Sequence, residues 1–288
     1  MDTKYKEYYK IAKEITKKFG TSYYFSTKFF PEEMKLDTYS LYAFFRLPDE
    51  IVDNPKKDKL KQQVSDELDE WISKWERIYY GSDDKEPILE LTKYTFHKYK
   101  IPYQLSIDFL LAMKQDLVKE RYATYQDLKK YMYGSASVVG LMMSYVIGFK
   151  DPALGYAPML GEAMQMTNFL RDISEDYFDR NRIYIPKEDL DKFGITEKYF
   201  QNKIYDKNFV NLMKFEIQRT RDLYKESYKG IKYLNQEGRF AILMAGKLYE
   251  AILDKIEQVD YNIWKGRVRT KKREKLYILG KEIIKKIN

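Results

Sequence analysis

The chain has 288 residues and a formal net charge of +8, with no Cys and a single His. Lacking thiols, it has no disulfide, thiolate nucleophile or zinc–thiolate site, and His97 alone builds no histidine cluster. Carboxylates would have to hold any metal, which favours Mg²⁺ or Mn²⁺ over zinc. With Gly at 13 and Pro at 8, no linker tract or repeat period divides the chain, so one domain over residues 1–288 is expected.

The amino terminus, Met1-Asp2-Thr3-Lys4-Tyr5-Lys6-Glu7, is charged and lacks the apolar core of a signal peptide, so a cytoplasmic location is expected. Apolar residues then recur every three or four positions in 4–18, 34–53, 60–80, 88–99, 103–120, 125–149, 153–180, 205–234 and 238–263. Breaks fall at Pro31, Pro55, Pro87, Pro102, Pro152 and Pro186, and no strand-like alternation is visible. The pattern predicts an all-α helical bundle.

Within 34–53 an aromatic and aliphatic stretch, Tyr39 to Leu47, leads into Asp49-Glu50-Ile51-Val52-Asp53. Carboxylates four apart share one helix face about 6 Å along the axis, where they repel by roughly 0.2–0.5 kcal/mol. Pro48 removes one helical hydrogen bond and crowds the Phe44 carbonyl, so a kink or a fresh helix start is expected there and the aim of Asp49 is open. Val138 to Phe149 is too short for a membrane span of about 20 residues. Its small residues suit close packing of helices or of an apolar ligand. Within 153–180 the apolar run Met164–Leu170 leads into Asp172-Ile173-Ser174-Glu175-Asp176, a second acidic face. With 44 Asp and Glu such pairs also arise by chance, as at Asp66/Glu70 and Glu86/Glu90; emergence from apolar stretches sets these two apart. In residues 265–288, ten Lys/Arg against Glu274 and Glu282 account for the whole +8, interleaved with Leu276, Tyr277, Ile278, Leu279, Ile283, Ile284 and Ile287. An amphipathic final helix is expected there, suited to an anionic membrane surface; no nucleic-acid fold accompanies it.

Leu41-Tyr42-Ala43-Phe44-Phe45-Arg46 ahead of DEIVD, Asn168-Phe169-Leu170-Arg171-Asp172-Ile173-Ser174-Glu175-Asp176, and Arg182-Ile183-Tyr184-Ile185-Pro186 together resemble the squalene/phytoene synthase family. Tyr131 to Gly140, and Ser22 ahead of Pro31-Glu32-Glu33, extend the likeness from about residue 8 to about 275. The resemblance implies an isoprenoid-synthase type bundle with a central cavity. It implies Asp49, Asp53, Asp172 and Asp176 as catalytic metal-binding carboxylates with Asn168 beside them. Arg46, Arg171 and Arg267 would grip diphosphate, assisted by Ser22, Gln165 and Tyr249; a planar guanidinium meets phosphate oxygens in two places. Arg171 has the alternative of pairing with Glu175. Tyr42 and Tyr131 would face a carbocation.

The implied reaction joins two geranylgeranyl diphosphates head to head, through a cyclopropylcarbinyl (prephytoene) diphosphate, to phytoene. DEIVDNP at Asp49–Pro55 and Ser135–Met143 point that way within the family. Squalene or dehydrosqualene formation from farnesyl diphosphate is the alternative. Squalene would need NADPH, which the phytoene reaction would not; no Gly-rich dinucleotide fingerprint is present, although relatives that use NADPH lack it too. A terpene cyclase and a non-catalytic assembly protein of the same fold are more remote. A peripheral position on the inner face of the cell membrane extends the location reading.

Overall fold

A computed structural model describes residues 3–53 and 60–287. Asn54, Pro55 and Asn288 lie outside them. The described residues hold no strand, only isolated bridges at Arg121–Ile183 and Phe149–Leu234. The helices are α1 (Thr3–Phe19), α2 (Thr21–Thr27), α3 (Glu32–Asp53), α4 (Lys61–Tyr79), α5 (Pro87–Tyr99), α6 (Tyr103–Asp116), α7 (Tyr125–Met132), α8 (Val138–Ile147), α9 (Ala153–Arg180), α10 (Lys187–Lys192), α11 (Glu197–Gln201), α12 (Lys207–Tyr228), α13 (Gln236–Gln258) and α14 (Lys272–Ile287). None is long and apolar enough to cross a membrane.

Long α9 is the axis. It packs against α8, α12 and α13, with Leu170, Leu212, Met213 and Leu253 sealed between them. A second core joins α3 to α4, α5 and α6 through Phe44, whose ring centroid lies 5.0 Å from Trp75 and 6.2 Å from Phe109. Offset aromatic contacts of this kind add to area burial. Asp37, fully buried, accepts hydrogen bonds from Tyr99 (2.7 Å), Tyr9 and Lys98, tying α1, α3 and α5 together.

Several expected boundaries move for identifiable reasons. The helix expected over 103–120 stops at Asp116, because the chain beyond it pairs with another segment: Ile183 N donates to Glu120 O (2.9 Å) and Lys187 N to Tyr122 O (2.8 Å). The 125–149 helix is interrupted by a π-turn at Tyr133–Ser137, a local widening of the helix common at functional sites. The 205–234 helix ends at Tyr228 with a separate 3₁₀ turn at Ile231–Tyr233. The 238–263 helix ends at Gln258, before left-handed Asp260 and Tyr261. Short α2, α10 and α11 were not visible in the periodicity.

Pro48 neither ends nor restarts α3. The helix runs on to Asp53, with Arg46 spanning the proline turn to pair with Asp49 and Glu50. The small residues of α8 and α9 serve packing: a Cβ on Gly140 would come within 2.3 Å of Ala157 O, and one on Gly161 within 2.3 Å of Ala136 O. The expected amphipathic α14 is present, with its apolar side outward. Leu276, Tyr277, Ile283 and Ile284 are exposed, whereas Lys275 and Glu282 are buried.

Candidate active site

On α3, Tyr42, Arg46, Asp49 and Asp53 recur at helical spacing and so share a face; on α9 the same holds for Gln165, Asn168, Asp172 and Asp176. Both faces border one cavity of about 790 Å³. Every side chain singled out from the sequence lines it: Ser22 from α2, Tyr131 from α7, Tyr249 from α13, and Arg171 and Arg267 join those on α3 and α9. Its remaining walls are largely apolar, including Phe45, Phe109, Met113, Val139, Met143 and Leu160.

Arginines stitch the acidic faces together. Arg180 reaches Asp53 (3.4 Å) on one side and Asp176 (3.2 Å) and Glu175 (3.1 Å) on the other. Arg182, nearly buried, donates to Asp53 at 2.7 Å. Arg267 pairs with Asp172 at 2.8 Å and with Glu175 at 3.1 Å. Arg171 donates through Nε to Asp172 at 2.7 Å, so its carboxylate partner is the adjacent residue and not Glu175. Glu175 is taken by Arg180 and Arg267.

Enclosure by protein, reinforced by Asp53, pushes the Asp49 carboxyl up to about 7 despite Arg46 alongside. Burial and then Asp172 raise Asp176 well above the usual carboxylate range. Such shifts mark groups short of positive charge. The Oδ1 of Asn168 is buried without a hydrogen-bond partner, while its Nδ2 donates to Gln165 (3.2 Å). Among the described residues no cluster of carboxylates forms a ready cation cage by itself. The donors are nonetheless all hard oxygens, with one orphaned amide oxygen among them, and this set suits Mg²⁺ or Mn²⁺.

Several residues of the cavity escaped the sequence reading. Asp116, at the end of α6, accepts from the hydroxyls of Tyr131 (2.5 Å) and Tyr184 (3.1 Å); burial lifts it to about 6, against the pull of Arg182. Tyr184 stacks on Phe169 at 4.0 Å and on Tyr131 at 5.7 Å, making an aromatic wall beside the carboxylates. Lys275 of α14 also borders the cavity; it donates to Thr21 Oγ1 at 3.4 Å, and burial lowers its pKa. Arg182 and Tyr184 stand in a segment whose wording was informative. Asp116 is one acid among many, and Lys275 is hidden in the basic tail.

The comparisons agree with this geometry. A family model described as squalene/phytoene synthase matches residues 16–274. The chain is 34% identical to a 15-cis-phytoene synthase of Synechocystis sp. over 95% of its own length and 83% of the relative's. To a phytoene synthase of Arthrospira platensis it is 32% identical, over 90% and 87%. Among solved structures, a dehydrosqualene synthase in complex with ligand superposes with a TM-score of 0.89 at 25% identity, covering 98% of both chains. A squalene synthase from Alicyclobacillus acidocaldarius shares the fold at a TM-score of 0.81 and 22% identity, over 91% and 97%. With the match spanning most of its length, the chain belongs to the squalene/phytoene synthase family.

Proposed function

We propose that the protein joins two molecules of geranylgeranyl diphosphate head to head to give phytoene. The observation that carries this reading is that two acidic helix faces, on α3 and α9, meet across one cavity whose remaining walls are largely apolar. Its phytoene synthase relatives favour the forty-carbon product over squalene or dehydrosqualene.

Asp49, Asp53, Asp172 and Asp176, with Asn168, would hold Mg²⁺ or Mn²⁺. Bound there, the metal would neutralise diphosphate and make it a better leaving group. Arg46, Arg171 and Arg267 grip phosphate oxygens, with Ser22, Gln165, Tyr249 and Lys275 orienting them. When the first allylic C–O bond breaks, diphosphate leaves with the electron pair. The double bond of the second substrate attacks the resulting cation, and loss of a proton closes a cyclopropane. The second C–O bond then breaks, the skeleton rearranges, and a further proton loss gives the hydrocarbon. Tyr42, Tyr131 and Tyr184 present aromatic rings to these cations, and the apolar walls exclude water that would quench them. Tyr131 is held in position by its hydrogen bond to Asp116.

The product is too apolar for water, and α14 turns Leu276, Tyr277, Ile283 and Ile284 outward between Arg273, Lys281 and Lys285. A peripheral seat on anionic bilayer through this face is part of the proposal. Incubating purified protein with Mg²⁺ and labelled farnesyl and geranylgeranyl diphosphates, without reductant, tests the chemistry. The expected product is a forty-carbon hydrocarbon with the mass and ultraviolet spectrum of phytoene, lost with EDTA and restored by Mg²⁺. A dominant thirty-carbon product, a cyclic monomer or no product would refute the reading.

A further inference from the structure

The cavity has a far end, and its position can be measured along the helices. On α9 lining residues recur every three or four positions from Asp176 down to Ala153; on the opposing wall they run from Tyr131 to Ile147. The end away from the carboxylates is closed by Ile147, Ala153, Tyr156, Gly230, Ile231 and Leu234. This floor is braced. Gly148 ends α8 with φ 81, and its carbonyl accepts from Asn235 N at 2.8 Å, while Lys150 N donates to Tyr233 O at 2.8 Å. Tyr156 and Tyr233 stack at 6.1 Å, and Ile147 is wedged so closely on α13 that a Cβ on Gly238 would lie 2.4 Å from its Cγ2.

Fifteen residues separate Asn168, at the acidic end, from Ala153, a rise of about 22 Å. An extended chain advances about 3.3–3.6 Å per three backbone bonds, so a four-bond isoprene unit takes about 4.5–5 Å. Four units, at about 18–20 Å, come within about 2–4 Å of the floor, close to van der Waals contact; three, at about 13.5–15 Å, stop about 7–9 Å short of it. An apolar tail that stops short leaves unfilled space and forfeits its contacts with the floor.

We infer that Ala153, with Ile147, is the chain-length determinant: its methyl group leaves room at the floor for a fourth isoprene unit. The inference rests on the coupling reading above and deepens it by assigning the twenty-carbon preference to these side chains.

The decisive variant is Ala153→Phe, assayed with fifteen- and twenty-carbon prenyl diphosphates and with their unreactive thiolo analogues in thermal-shift measurements. The expected outcome is a fall of roughly tenfold or more in kcat/KM for the twenty-carbon substrate, with the fifteen-carbon value nearly kept and a thirty-carbon product emerging. The thermal shift from the twenty-carbon analogue should shrink in parallel. Ile147→Ala, which opens the floor without crowding, should instead gain activity and thermal shift with a twenty-five-carbon substrate and its analogue; it decides the matter if Ala153→Phe does not fold. An unchanged ratio of the two substrates in folded Ala153→Phe, or no gain in Ile147→Ala, would overturn the inference. If the unaltered protein couples neither substrate, the coupling reading fails, while the thermal shifts still judge the floor by themselves.

Discussion

Asp53 and Asp172 each stand between arginines, at 2.7 Å from Arg182 and 2.8 Å from Arg267 respectively. Replacing either by Asn keeps the shape and removes the charge; kcat should fall by on the order of 10²–10³ or more, the scale of losing a principal electrostatic group, with the far-ultraviolet helical signal unchanged. Full activity in Asp53→Asn/Asp172→Asn would refute the assignment. Lys275→Ala should raise KM for prenyl diphosphate with a smaller change in kcat, the signature of a ground-state anchor. Away from the cavity, Glu216 is pushed up to about 8, chiefly by burial against the counter-pull of Arg219; at the cavity wall, Asp116 is pushed up to about 6, also chiefly by burial. Both bind protons more readily folded than unfolded, so the stability that these two groups contribute is fully present below the ordinary carboxylate range and is lost as pH rises from about 4 through 6 and 8. Metal-free protein should therefore melt a few degrees higher at pH 6 than at pH 8.5, each kcal/mol moving Tm by about 2–4 °C; Glu216→Gln should flatten the slope. The acidic faces were legible because both members of each pair lie within one helical turn. Arg182 and Asp53 are 129 residues apart, and no local pattern announces such a pairing.

At the scale of elements, α14 behaves unlike the surface helices around it. A helix packed on a protein normally turns apolar residues in, yet here Lys275 and Glu282 are covered and Tyr277 is 73% exposed. The sequence revealed the amphipathic pattern but not which side faces out, because orientation depends on what α13 and α2 offer to pack against. Reversing charge at Lys281 leaves the cavity side and the buried Glu282, which pairs with Lys285 at 2.9 Å, untouched. Flotation with anionic liposomes should fall several-fold, each basic side chain near the surface contributing about 1 kcal/mol, while activity in detergent stays at the level of the unaltered protein. Equal flotation on neutral and anionic vesicles would exclude the electrostatic contribution. For α3 the sequence left Asp49 without an aim; the bridge from Arg46 across Pro48 supplies it, since side-chain pairing three and four residues on does not need the missing backbone N–H.

Across the whole molecule, the all-α class and the long helices were readable from apolar periodicity, whereas the short α2, α10 and α11 and the cavity were not. A void is a relation among helices distant in the chain: α8 and α9 cross it, α3 and α13 flank it, and the 230–234 segment closes it. Gly140, among the small residues that suit either helix packing or an apolar ligand, serves both: it brings α8 against Ala157 O of α9 and borders the cavity.

The arginine stitching between the acidic faces has a thermodynamic corollary. Each guanidinium that would hold an anion is engaged by a carboxylate that would hold a cation, so neither guest finds its host group at liberty. Cation alone must compete with Arg180 and Arg267, and anion alone must draw Arg46, Arg171 and Arg267 away from Asp49 and Asp172. Arriving together, the guests resolve each other's competition, so their affinities must rise reciprocally by the same factor. Calorimetric titration with Mg²⁺, with inorganic diphosphate and with both should then show heterotropic cooperativity, and an empty site that keeps either one only loosely.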